Sequence, residues 1–179
     1  MNDEHILELA IEKASRGDRE AFGDIYDWYV RPLFKYVLVR VGHREIAEDI
    51  TEEIFIKAFQ HITSYKQRKN VPFSAWLYRI AKNTVIDWYK THKTTVELPE
   101  IVDTHSFIDQ LDLKKTYDEI LKRLYRLTNE HREVLLLRFI DERSIDEISE
   151  ILNIKPGTVR VMIFRALQEL RKIIPYEKF

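Results

Sequence analysis

This 179-residue chain has no cysteine, which excludes disulfides, thiolate-bound zinc and thiol redox chemistry. Its four glycines and five prolines leave few of the residues that hairpin turns require. Polar stretches rich in Glu and Lys favour helix instead. No apolar run approaches the ~18 residues of a membrane span, and Asn2, Asp3 and Glu4 are unlike the basic start of a signal peptide. The glycine-rich phosphate cradles, the G-x-S-x-G elbow and H-E-x-x-H are all missing. None of His5, His43, His61, His92, His105 and His131 follows a glutamate by three residues, as the ligands of a carboxylate-bridged di-iron bundle do. The expectation is a cytoplasmic all-α protein with no membrane insertion, cofactor, metal or catalytic centre.

What the chain does have is charge sorted by segment. The formal net charge is −1, yet residues 64–93 hold seven cations (Lys66, Arg68, Lys69, Arg79, Lys82, Lys90 and Lys93) against Asp87 alone. Tyr65, Phe73, Trp76, Tyr78, Trp88 and Tyr89 share that stretch. Cations bind phosphate without reading sequence, and ring faces stack on unpaired bases, so the segment suits single-stranded nucleic acid. It suits a packed core equally, because Trp76, Leu77, Ile80, Ala81 and Val85 recur at helical spacing. Five acids (Glu45, Glu48, Asp49, Glu52, Glu53) crowd residues 45–53, and seven acids face only Lys114 and Lys115 across 97–119. Over 155–172 the sign reverses, with Lys155, Arg160, Arg165, Arg171 and Lys172 against Glu169. Segregation of this kind points to several partners or surfaces.

Periodicity places a first helix from Asp3, with Ile6, Leu7, Ala10, Ile11 and Ala14 on one face and Gly17 as its stop. Asp18 caps a second, burying Ala21, Phe22, Ile25, Tyr26 and Tyr29 and ending before Pro32. Leu33, Phe34, Val37, Leu38 and Val41 predict a third, and Ile46, Ile50, Ile54, Phe55, Ala58, Phe59 and Ile62 a fourth with its acids on the opposite side. A loop over 65–72 leads to the basic and aromatic helix from Phe73 to about Thr91. From Thr94 to about Asp109 no stripe persists, and Pro99 and acids mark a linker. A stripe resumes with Leu113, Tyr117, Ile120, Leu121 and Leu124, then Val134, Leu135, Leu137 and Phe139 after a cap at Thr128 or Asn129. The domains are therefore expected at 1–93 and 113–179, joined by a linker at 94–112.

The sharpest local signal is near the C-terminus. Ser144-Ile145-Asp146-Glu147 fits a capping box ahead of a short helix with Ile145, Ile148, Ile151 and Leu152 inward. Asn153, Ile154 and Lys155 make a turn, and Pro156 suits a helix start because its missing N–H would be unpaired there. Val159, Ile163, Ala166, Leu167 and Leu170 then form the inner stripe of a longer basic helix. Short helix, tight turn and basic second helix make a helix-turn-helix, whose second member enters the major groove.

Three blocks in series resemble the extracytoplasmic-function (ECF) sigma factors of RNA polymerase. Ala47–Phe59, reading AEDITEEIFIKAF, resembles the family's core-binding helix, and Phe73–Thr84, FSAWLYRIAKNT, its promoter-melting helix. Leu127–Arg138, LTNEHREVLLLR, and the helix-turn-helix resemble its domain 4. The resemblance implies a promoter-specificity subunit whose partners are core polymerase (clamp helices of the largest subunits, and the flap), promoter DNA and, in some members, an anti-sigma factor. Core contacts are implied at Asp49, Glu52, Glu53 and Phe55. Contacts to the −10 element, with a flipped base, are implied at Lys66, Arg68, Lys69, Asn70, Phe73, Trp76, Arg79, Lys82, Asn83 and Lys90. Contacts to the −35 element are implied at Lys155, Thr158, Arg160, Val161, Phe164 and Arg165. Two positions depart from the family. Glu52 stands where Gln is frequent, and Arg160-Val161-Met162-Ile163-Phe164-Arg165 replaces the common K-S-R-L-x-R. The second change removes two polar contacts and leaves Val161, Met162 or Phe164 to meet thymine methyls or a regulator. The residues alone leave one alternative open, an autonomous helix-turn-helix regulator that binds duplex DNA without polymerase.

Overall fold

The computed structural model describes residues 3–67, 71–92 and 122–173, and every regular element among them is helical. The chain divides into two compact units, Met1–Val96 and Glu97–Phe179. The expected linker and the stripe from Leu113 to Leu121 lie outside the described residues.

The first unit contains α1 (Asp3–Ser15), α2 (Arg19–Val41), α3 (Arg44–His61) with a 3-10 turn at Ile62–Ser64, and α4 (Phe73–Thr91). Asp18 caps α2 by accepting from the amides of Glu20 (3.0 Å) and Ala21 (3.2 Å). Gly42 ends it at φ 75°, a left-handed conformation that a side chain disfavours, and its N–H donates to Leu38 O at 2.8 Å. Contrary to expectation, α2 runs straight through Pro32. A proline deletes one helical hydrogen bond and costs about 3 kcal/mol. Here Pro32 is exposed, so water can replace the lost bond to the Trp28 carbonyl. Ile25, Tyr29, Leu33, Tyr36 and Val37 keep one buried face in register across it.

That face packs on α1, α3 and α4. Tyr36 meets Tyr78 of α4 edge-on, with centroids 5.1 Å apart and both rings essentially inaccessible. Arg40 is also buried; its guanidinium lies 3.4 Å from the Tyr36 ring centroid and donates to Tyr36 O at 2.7 Å. The Tyr89 hydroxyl of α4 donates to the Arg40 carbonyl, satisfying one of the acceptors that a helix end leaves without a partner. Three residues expected inside are instead partly out, Ile6 (44% exposed), Tyr26 (43%) and Phe59 (41%).

The second unit contains α5 (Asn129–Leu135), a π-type turn at Leu136–Ile140, α6 (Ile145–Leu152) and α7 (Pro156–Ile173). Thr128 caps α5 by accepting from the His131 amide. Asp141 N donates to Leu136 O, a five-residue step that widens the helix. Phe139 is thereby left 56% exposed, not buried as its spacing predicted. The capping box at Ser144 is complete: its hydroxyl accepts from Glu147 N (3.1 Å) and the Glu147 carboxylate from Ser144 N (2.9 Å). Asn153 turns the chain at φ 56°. Ile148, Ile151, Val159 and Ala166 close the core between α6 and α7, whereas Leu167 faces outward.

All three tryptophans, Trp28, Trp76 and Trp88, belong to the first unit. Ser144→Ala should remove about 1 kcal/mol from the second unit. In urea unfolding, the far-UV circular dichroism of the variant should begin to fall at lower denaturant while its tryptophan fluorescence transition stays in place. Joint movement of both signals would mean one cooperative body.

Candidate polymerase and nucleic-acid interfaces

On α3 the sequence pattern buries Ala47, Ile50, Thr51, Ile54 and Ala58 against α2 and α4, which turns the other side to solvent. Asp49, Glu52 and Glu53 are exposed there, and Ile56 beside them is 50% exposed. Asp49 and Glu52 form no ion pair among the described residues. Glu53 is engaged: Lys57 Nζ lies 2.6 Å from its Oε1 and 3.3 Å from Thr84 Oγ1 on α4. Lys57 thus ties the acidic helix to the basic one, a role that the sequence reading missed although an i,i+4 Glu–Lys pair is legible. Phe55 sits in the core instead of on the acidic face, with its ring 4.6 Å from that of Tyr26.

Helix α4 divides the basic and aromatic stretch into two populations. Leu77, Tyr78, Ala81, Thr84 and Val85 are buried. At 100° per residue, Arg79, Lys82, Asn83, Ile86 and Lys90 fall within an arc of about 100° on the other side. Asn83, Ile86 and Lys90 are exposed, and Arg79 and Lys82 half-buried, as suits long side chains whose stems pack and whose charges reach solvent. Lys90 pairs with Asp87, the acid within this helix, at 3.0 Å.

At the N-terminal end of α4, four rings form a cluster. Phe73 lies 5.8 Å from Tyr29, 5.1 Å from Tyr65 and 5.2 Å from Trp76, and Tyr65 lies 5.2 Å from Trp76. Phe73 is the buried centre, at 6% exposure; Tyr65 and Trp76 are half-buried above it. Desolvation raises the Tyr65 phenol above its ordinary pKa. Lys66 beside it is exposed. Arg68, Lys69 and Asn70 lie outside the described residues.

On α7 the −35 set is presented together. Lys155, just before the helix, and Thr158, Arg160, Val161, Phe164 and Arg165 on it are all exposed, whereas Val159 and Ala166 are inaccessible. The helix is held by His131 of α5, whose Nδ1 donates to Glu169 Oε2 at 2.5 Å. That contact spans 38 positions and leaves no local signal in the sequence. Among the described residues there is no cluster of His, Asp and Glu fit for a metal and no helix long and apolar enough to cross a membrane.

An acidic helix, a half-basic helix with a ring cluster at its start and a basic helix-turn-helix are the surface features of the two units. Residues 25–95 match the Sigma-70 region 2 family and residues 117–170 the Sigma-70 region 4 family. The chain is 34% identical to the ECF RNA polymerase sigma factor SigW of Bacillus subtilis strain 168, over 94% of this chain and 97% of that protein. Its fold is similar to that of CnrH solved with the cytosolic domain of CnrY (TM-score 0.74, 20% identity, 97% of this chain and 99% of that one). It is also similar to sigma factor RpoE solved with the anti-sigma factor NepR from Bartonella quintana (TM-score 0.71, 19% identity, 88% and 98%). The chain belongs to the ECF RNA polymerase sigma factors, and is an alternative sigma factor directing promoter-specific transcription initiation.

Truncating the central ring should cost folding before it costs function. Phe73→Ala should lower the unfolding free energy by about 3–5 kcal/mol, whereas Asn83→Ala, on the exposed face, should stay within about 0.5 kcal/mol of wild type. Urea titration followed by tryptophan fluorescence distinguishes the two. Equal stability of both variants would remove Phe73 from the core.

Proposed function

We propose that this sigma factor divides its work between its units as its surface charges do. The unpaired carboxylates of Asp49 and Glu52, with Glu53 and Ile56 beside them, dock on core polymerase at the clamp helices of the largest subunits. Phe55 supports that face from beneath. Arg79, Lys82, Asn83 and Lys90 on α4 hold the displaced −10 strand, Trp76 and Tyr65 offer partly open ring faces, and Phe73 fixes their positions. Lys66 belongs to the same surface, and Arg68, Lys69 and Asn70, which lie outside the described residues, are proposed to contact the same strand. Helix α7 enters the major groove of the −35 element, with the second unit close to the polymerase flap. The working domains are 1–93 and 113–179, with 94–112 between them. The chain performs no catalysis of its own and acts in the cytoplasm, where polymerase is.

The observation that carries this reading is the occurrence of the acidic and basic faces on adjacent helices bridged by Lys57. A duplex-binding regulator can use the basic face on phosphates but has no use for the acidic one. An anti-sigma partner is proposed by analogy with the RpoE–NepR pair.

The test is co-elution with core polymerase. Asp49→Lys combined with Glu52→Lys should weaken that association roughly tenfold or more, because repulsion replaces attraction at the contact. Circular dichroism should stay unchanged, since exposed charges contribute little to folding. Association at the wild-type level would refute the assignment of this face.

A further inference from the structure

The part of α7 that faces farthest from its own core carries two exposed apolar side chains. Val159 and Ala166 are 0% exposed and fix the inward direction. At 100° per residue, Gly157, Val161, Phe164 and Gln168 fall within an arc of about 60°, and the centre of that arc lies about 180° from the centre of the buried pair. Arg160 and Arg165 each stand about 40° beyond one edge of the arc. The outermost ridge of the helix is therefore Val161 and Phe164, 48% and 63% exposed, with a guanidinium on either flank. A Cβ added to Gly157 would meet nothing within 4 Å, so the ridge is open at its start.

Exposed apolar side chains at the leading edge need a partner that rewards them. The flanking charge identifies it as nucleic acid: residues 155–172 carry five cations, and their single acid, Glu169, is engaged by His131. In the major groove the phosphates lie to the sides and the base edges at the floor. Arginines at the flanks of the helix and apolar groups at its tip match that layout. Among base edges in that groove, the thymine C5-methyl is the feature an apolar side chain can read. We infer that Val161 is a specificity-determining residue that reads a thymine methyl in the −35 element, with Phe164 widening the same apolar contact. The inference rests on the reading of α7 as the −35 helix and names what that helix selects.

The probe is duplex promoter DNA with a randomised −35 hexamer, selected by full-length chain assembled with core polymerase. Thymines of the recovered sequence, on both strands, are then replaced one at a time by 2′-deoxyuridine, which lacks only the methyl. Wild-type holoenzyme should lose about fourfold in affinity at one position, the scale of a single buried CH₂-sized contact. The loss should be independent of salt, unlike that of a phosphate contact. Val161→Ser holoenzyme should bind thymine and uracil equally there, and Val161→Ile should keep the discrimination; both variants should retain wild-type circular dichroism. The inference is overturned if uracil matches thymine at every −35 position, or if Val161→Ser discriminates as wild type does. In either case a selected −35 sequence leaves the proposed function standing. If the holoenzyme selects no −35 sequence at all, both readings fall.

Discussion

The first unit depends on the edge-on contact of Tyr36 with Tyr78, made where neither ring meets water. An edge-to-face pair contributes about 0.5–1.5 kcal/mol beyond its area, but its larger consequence is geometric. It fixes the rotation of α4 against α2, and the Tyr89 hydroxyl on the Arg40 carbonyl fixes the far end of the same helix. With Leu77, Ala81 and Val85 turned inward by that registration, Arg79, Lys82, Asn83 and Lys90 have only the outer side left. The proposed nucleic-acid surface follows from core packing.

The same economy joins the two faces of the unit. Ile50 and Ile54 bury the inner side of α3 and expose its carboxylates, while Lys57 reaches from Glu53 to Thr84. Opposite charges thus occupy separate surfaces of one small body at fixed spacing, which suits a protein that must hold polymerase and DNA together. In the second unit the capping box fixes the start of α6, and the His131–Glu169 contact holds α7 against α5.

Much of this was legible in the sequence because it is encoded locally. Ser144 and Glu147, Asp18 and Gly42 act over a few residues, and the acids of α3 and the exposed set on α7 follow from a 3.6-residue period. What was not legible depends on distant partners or on backbone deviations from that period. Pro32 reads as a helix break, but the α2 core face continues across it. Phe139 reads as buried, but the π-type turn at Leu136–Ile140 rotates it outward. Phe55 and Phe73 read as contact residues by resemblance, yet Tyr26 and Tyr29 cover them from another helix. Leu167 continues the inner stripe on paper and is 42% exposed.

The central claim is that the chain opens promoter DNA only as part of polymerase. A fluorescent base analogue placed in the −10 region of a duplex promoter measures this directly, because its emission rises on unstacking. The account predicts a rise when core polymerase and chain are both present and none with either alone. Full promoter-specific binding by the chain alone, with no rise on adding core polymerase, would contradict it.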